Sequence, residues 1–247
     1  MHRSHILATA MLLAAPFAAS AGPTSFNDGV MNPASYSVVS YNTDPSVNIA
    51  ISQLASGGHP GTALDIHFSN DGGAVSMTAL TGFIDTAFNY DPSSQGALTG
   101  LSYANDRYVD VGAVLNPSLN TLTRSLLSQG GHYYVATAAD VQLRGTWFTT
   151  ISGALTATDY SEISFATGLT DATNHPDFSS TGSLIGLGFA NRFFLDTVGS
   201  PFALDGVFRY DNISYSLSPA VPEPQTYALM LAGLSALFML QRRRVRR

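Results

Sequence analysis

From residue 22 to residue 218 the chain shows no sustained 3.6-residue apolar period; short β-branched and aromatic runs alternate instead with clusters of Gly, Pro, Asn and Asp. Such a pattern cannot lay down the continuous apolar stripe that packed helices need, but it suits pleated strands joined by tight turns. Strands are predicted at residues 35–41, 47–54, 63–68, 74–80, 83–90, 97–103, 108–115, 132–137, 139–155, 162–167, 183–190 and 207–217. Turn chemistry at Gly57-Gly58-His59-Pro60-Gly61, Asn70-Asp71-Gly72-Gly73, Asp91-Pro92 and Asp205-Gly206 predicts the connections. A dozen short strands at this spacing predict an all-β, two-sheet antiparallel sandwich. One helix is predicted at residues 117–129: Asn116 caps it, Pro117 opens it, Leu119, Leu122 and Leu126 share a face, and Gly130 and Gly131 stop it. No repeat or internal boundary divides the body, so residues 22–218 are read as one domain.

Charge is sparse and unevenly placed. Only 11% of residues are charged, against about 25% in an ordinary soluble chain, so the surface is one of uncharged Ser, Thr, Asn and Gly. There is no lysine, and five of the eleven arginines (Arg242, Arg243, Arg244, Arg246 and Arg247) occupy the last six positions. With Arg3 set aside in the leader, five arginines remain against all seventeen acidic residues, a net charge of −12. A field of that sign repels phosphate backbones and excludes nucleic acid as a partner. The chain has no cysteine, which rules out disulfide staples, thiolate zinc sites and a redox thiol.

The two ends carry transport signals. Residues 1–21 begin with Arg3, continue through an apolar run and close on Pro16 and small residues; Ala19 and Ala21 precede a cleavage point that would leave Gly22 as the mature start. At the other end, residues 226–240 predict a short transmembrane helix, with the arginine cluster of 242–247 held on the cytoplasmic side. Its charge-free core from Tyr227 to Leu240 covers about 21 Å at 1.5 Å per residue. Snorkelling arginines and local bilayer thinning would make up the remaining span. Before this helix stand Val221, Pro222, Glu223 and Pro224, where the prolines remove backbone donors and keep the segment extended. This order of motif, apolar helix and Arg-rich end, over residues 219–247, resembles the PEP-CTERM sorting signal. The resemblance implies an exosortase partner in a Gram-negative bacterium, transient membrane anchoring, and delivery to the cell surface or extracellular matrix.

Within the body, Gly57-Gly58-His59-Pro60-Gly61 resembles the glycine-rich segment of laminin-IV-like sandwich domains, with His59 where Asn is usual. Tyr210-Asp211-Asn212-Ile213-Ser214-Tyr215 resembles the last strand of jelly-roll carbohydrate-binding modules. Both imply a jelly-roll-like sandwich. Structural calcium would take oxygen ligands in loops, and Asn70 with Asp71, or Asp211 with Asn212, are the candidates. The histidines lack the spacing of a zinc site, and no serine-nucleophile elbow or marked carboxylate pair indicates a hydrolase. Sugar would stack on exposed aromatics, for which Trp147, Tyr133 and Tyr134 are candidates; the alternative place for the only tryptophan is the core. The sequence therefore reads as a non-enzymatic exported surface or exopolysaccharide-matrix protein, with no catalytic residue and no required cofactor. The alternative is a module that recognises matrix polysaccharide, and behind it a cryptic glycoside hydrolase.

Overall fold

The computed structural model describes residues 24–74, 76–110, 120–137, 145–196 and 202–220, with six isolated positions beyond them. They form two antiparallel sheets packed face to face. The first holds β3 (Asn48–Gly58), β4 (Gly61–Ala74), β13 (Phe202–Pro219), β6 (Leu98–Asp110) and β9 (Phe148–Ile151) in that order, and β1 (Ser25–Asp28) pairs with the far half of β13. The second runs β11 (Thr170–Asp171), β10 (Tyr160–Ile163), β8 (His132–Ala136), β7 (Asn120–Gln129), β12 (Ile185–Asp196), β5 (Ser76–Tyr90) and β2 (Tyr36–Asn42). Across the interlayer β4, β13 and β6 of the first sheet meet β12 and β7 of the second, and the chain crosses repeatedly between the sheets. This is an all-β, two-sheet antiparallel sandwich.

Aromatic residues fill the interlayer. Phe68, Phe83, Phe189, Phe193 and Phe208 are fully buried; Phe83 stacks on Phe189 at 4.8 Å between ring centroids, and Phe68 on Phe193 at 5.3 Å. Burial of one such ring contributes about 1.5–3 kcal/mol. A second apolar layer lies on the outer face of the second sheet, where Leu80, Ile84, Leu126 and Val135 pack with Tyr133 and Phe165. Gly188 marks a register shift between β12 and β5; a Cβ there would come within 1.8 Å of the Phe83 carbonyl oxygen, so only glycine fits.

Most predicted strands are present, several of them longer than expected. Residues 76–80 and 83–90 belong to a single strand, β5, while Ala74 ends β4, and the 97–103 and 108–115 segments merge in β6 from Leu98 as far as Asp110. Four expectations need correction. The Asn70-Asp71-Gly72-Gly73 segment lies inside β4 rather than in a turn, and Asp205-Gly206 lies inside β13, where it pairs with Ser69 and Phe68. Of the 139–155 segment only Phe148–Ile151 is a strand among the described residues. The predicted helix at 117–129 is strand β7 over its described part.

The reason is an inverted alternation: Thr121, Thr123, Ser125 and Gln129 point inward, and Leu122 and Leu126 point to the other face. Buried hydroxyls are tolerated because they find partners across the core. Ser125 Oγ lies 2.7 Å from both the Tyr160 and Tyr215 hydroxyls, and Thr123 Oγ1 lies 2.9 Å from the Tyr210 hydroxyl and accepts from Arg107 Nη1 at 2.7 Å. No helix among the described residues is long and apolar enough to cross a membrane. The signal segment 1–21, with Ala19, Ala21 and Gly22, lies outside the described residues, as do Val221 to Pro224, most of 226–240 and the arginines of 242–247.

Replacing Ser125 with Ala leaves the buried Tyr160 hydroxyl without its partner. The expected loss is about 1–3 kcal/mol, measured by denaturant unfolding, with β-sheet circular dichroism unchanged.

Candidate functional site

The two segments singled out in the sequence meet at one end of the first sheet. The β3–β4 hairpin closes through His59 and Pro60, and β13 passes beneath it with a register shift between Asp211 and Ser214. Asn212 takes a left-handed φ of 51°, which suits an Asn. Asp211 is fully buried and accepts the His59 backbone N–H at 2.6 Å and the Asn212 N–H at 2.7 Å. Asn212 Nδ2 donates to the His59 carbonyl oxygen at 2.7 Å and to Asp106 Oδ2 at 2.8 Å. Gly58 is needed at this junction because a Cβ would lie 2.0 Å from the Thr62 carbonyl oxygen and 2.7 Å from the Asp211 carboxylate.

Asp106, on β6, completes the cluster. It faces His59 Nδ1 at 3.2 Å, accepts from Asn212, and accepts a hydrogen bond from the Thr149 hydroxyl on β9. Burial pushes its pKa up, but the hydrogen bonds from Thr149, Asn212 and His59 outweigh this and hold it below the ordinary carboxylate value. Asp211 goes the other way: burial raises it, and the two backbone N–H groups offset this only in part. All four oxygens of this pair thus face donors, and a cation at Asp211 and Asn212 would have to displace them. Asn70 pairs near Leu204, at the opposite end of the β4–β13 ladder from Leu64 and Tyr210, so the two suggested calcium pairs are separate; the Asp71 side chain lies outside the described residues. No group of three metal-ligating side chains occurs among the described residues.

Trp147 joins this cluster from the segment before β9. It is half-buried, stacks nearly parallel on the His59 ring at 5.9 Å and 7°, and meets Tyr108 at 5.8 Å. Arg209 lies over Tyr108 at 5.3 Å and donates from Nε to Asp65 at 2.9 Å. Tyr108 and Arg209 alternate with the buried Arg107, Val109 and Tyr210, so this row lies on the outer face of the first sheet. Further along that face a groove of about 350 Å³ is lined by Asn27, Ser102, Ala104, Ser214, Ser216 and the exposed Ile151. Tyr133 and Tyr134 sit elsewhere, on β8 in the second sheet: Tyr133 packs edge-on against Phe165, and Tyr134 is buried. The structure therefore brings His59, Asp211, Asn212 and Trp147 together and leaves the two tyrosines apart. Asp106, Thr149, Tyr108 and Arg209 carried no signal in the sequence beyond alternation within a strand.

A protein-family model described as the PEP-CTERM protein-sorting motif matches residues 220–247. The chain carries this sorting motif. It supports an exported protein with an exosortase as partner. No curated protein matches the chain. Among solved structures, the Clostridium thermocellum endo-1,4-beta-D-xylanase 10B CBM22-1-GH10 modules complexed with xylohexaose share 9% identity at a TM-score of 0.33, over 81% of this chain and 29% of that one. A second crystal structure, described as with xylogluco-oligosaccharide, shares 12% identity at a TM-score of 0.28, over 73% of this chain and 39% of that one. This chain thus spans well under half the length of either, and no ligand or residue role passes from them to it.

Stability measured between pH 6 and pH 2.5 tests the Asp106 anchor. A depressed carboxyl contributes stability that is present above its unfolded value, about 3.9, and is lost as pH falls through the folded value. Asp211, being raised, acts in the opposite sense, gaining as pH falls from its folded value towards the ordinary one. Asp106→Asn is expected to lose about 1–3 kcal/mol at pH 7 and to flatten the decline seen in the unsubstituted protein below about pH 4.

Proposed function

We propose that this chain is a non-enzymatic protein of the cell envelope or exopolysaccharide matrix, exported with a cleaved leader of residues 1–21 and handed to an exosortase through Pro222, Glu223 and Pro224. The observation that carries this reading is the sorting motif at residues 220–247. In it the apolar stretch at 226–240 holds the chain in the inner membrane, and Arg242, Arg243, Arg244, Arg246 and Arg247 keep the tail cytoplasmic, so the sandwich stands on the outer side. The extended proline segment lies just above the membrane, where a membrane enzyme can grip it. Intact mass of the chain expressed with and without an exosortase tests the reading: loss of the segment after Pro222–Pro224 is expected only when the enzyme is present, and an uncut tail in both hosts would overturn it.

A second reading, recognition of a neutral matrix polysaccharide, is favoured by the outer face of the first sheet. Trp147 offers a half-exposed ring already held by His59 and Tyr108, and the groove beyond it is floored by serine hydroxyls and walled by Ile151. Apolar ring faces would stack on the aromatics and sugar hydroxyls would meet Ser102, Ser214 and Ser216. On a glycan array Trp147→Ala is expected to weaken any bound neutral glycan by about tenfold or more, the effect of losing one to three kcal/mol of stacking, and Tyr133→Ala to leave it unchanged. Equal binding by the Trp147 variant would remove this reading.

A further inference from the structure

The two flanks of the sandwich are unlike. On one side the sheets end in β9, four residues long, and β11, two residues long and carrying Asp171. On the other they end in β3, eleven residues, and β2, seven residues, two long edge strands joined by a short turn. From Ser35 to Gly58, through both strands, the only charged residue is Asp44, and it lies in that turn. Neither strand contains proline. Among the described residues β3 pairs only with β4, which leaves its other row of N–H and C=O groups open. Asn48, Ala50 and Ser52 alternate as exposed positions with Ile49 and Ile51, which pack on the core. Folded proteins usually close such an edge with charge, proline, a bulge or extreme shortness, and the opposite flank uses shortness. This flank uses none of them over residues 48–52.

We propose that the β3 edge is a self-association surface, on which a second copy of this chain adds its own β3 antiparallel, so that two first sheets become one continuous sheet across a two-fold axis. The partner is a second copy because of the charge distribution. The body is acidic, with few arginines to balance it, so two copies repel each other over most approaches. They can meet most closely where each brings least charge, and the β2–β3 flank, with Asp44 alone in its turn, is such a strip. The far half of β3 is less open, since Gln53 donates to the Val30 carbonyl oxygen there, which places the pairing along Asn48 to Ser52. The stretch Asn48 to Ser52 lies at the opposite end of the first sheet from β9, so dimerisation leaves the Trp147 row accessible and presents two copies of it.

The absence of cysteine makes the test clean. Single variants Asn48→Cys, Ala50→Cys and Ser52→Cys are made in the full chain, with Ile151→Cys on the opposite flank as control, and each is oxidised mildly and followed by non-reducing electrophoresis. Cysteines that face their own copy across a two-fold sit within disulfide reach. Covalent dimer is expected at one of the three β3 positions at least about tenfold faster than at Ile151, because pairing raises the effective thiol concentration. Circular dichroism shows whether each variant is folded. Dimer formation by folded β3 variants no faster than by the Ile151 control would overturn the proposal, as would sedimentation showing the unsubstituted chain monomeric at every concentration.

Discussion

Everything in this sandwich depends on the two sheets being held in one relative position, and with no cysteine in the chain that task falls to side chains meeting across the interlayer. Apolar contact alone is poorly suited to it, because dispersion and hydrophobic burial change little when one sheet slides a fraction of a residue over the other. Hydroxyl contacts are directional. Ser125 on β7 reaches Tyr215 on β13, Thr123 reaches Tyr210 on the same strand, and the Tyr215 hydroxyl also donates to the Gly188 carbonyl oxygen on β12. Each bond exists at one alignment only, and a slip would strand several buried polar groups together. Burial accordingly keeps the Tyr215 and Tyr160 hydroxyls protonated, with pKa values far above that of a free tyrosine.

The same hydroxyl layer explains where the sequence was legible and where it was not. Strands such as Tyr36–Asn42 and His132–Ala136 present β-branched and aromatic runs bounded by turn residues, and local chemistry is enough to find them. Strand β7 is different, because Thr121, Thr123 and Ser125 precede Leu127 at its inward positions, while Leu126 lies on the outer face with Phe165 and Tyr133. Polar-in, apolar-out alternation is uninformative until the tyrosines of β10 and β13 are known to stand opposite, and these lie 35 to 90 residues further along the chain. The Asn70–Gly73 and Asp205-Gly206 segments failed for a related reason. Turn-forming residues only permit a turn: pairing with β4 carries Asp205 and Gly206 straight through β13, and residues 71–73 are taken up in a register shift within the same ladder, between the Asn70 and Ala74 pairs.

The site shows the same division. His59, Asp211 and Asn212 were visible because glycine-rich and Asp-Asn segments mark backbone that departs from plain strand geometry, and both occupy such places: a closing hairpin and a left-handed position beside a register shift. That the two would touch was not visible, since 152 residues separate His59 from Asp211. Asp106 and Thr149 were silent because their importance comes from facing this junction on neighbouring strands, a relation that only the β6–β9 register creates.

The junction also fixes what lies beside it. With the His59 main chain clamped by Asp211 and Asn212, and its ring held by Asp106, the imidazole becomes a rigid floor for the Trp147 indole. A tryptophan on the segment leading into a four-residue edge strand would otherwise be free to rotate, losing entropy whenever it met a ligand. Stacked on His59 and tilted against Tyr108 it is held in one orientation, with Arg209 steadying Tyr108 and Asp65 steadying Arg209. A chain of contacts therefore runs across four strands of the first sheet and ends in one aromatic surface, so the buried carboxylates fix the outer face from beneath it.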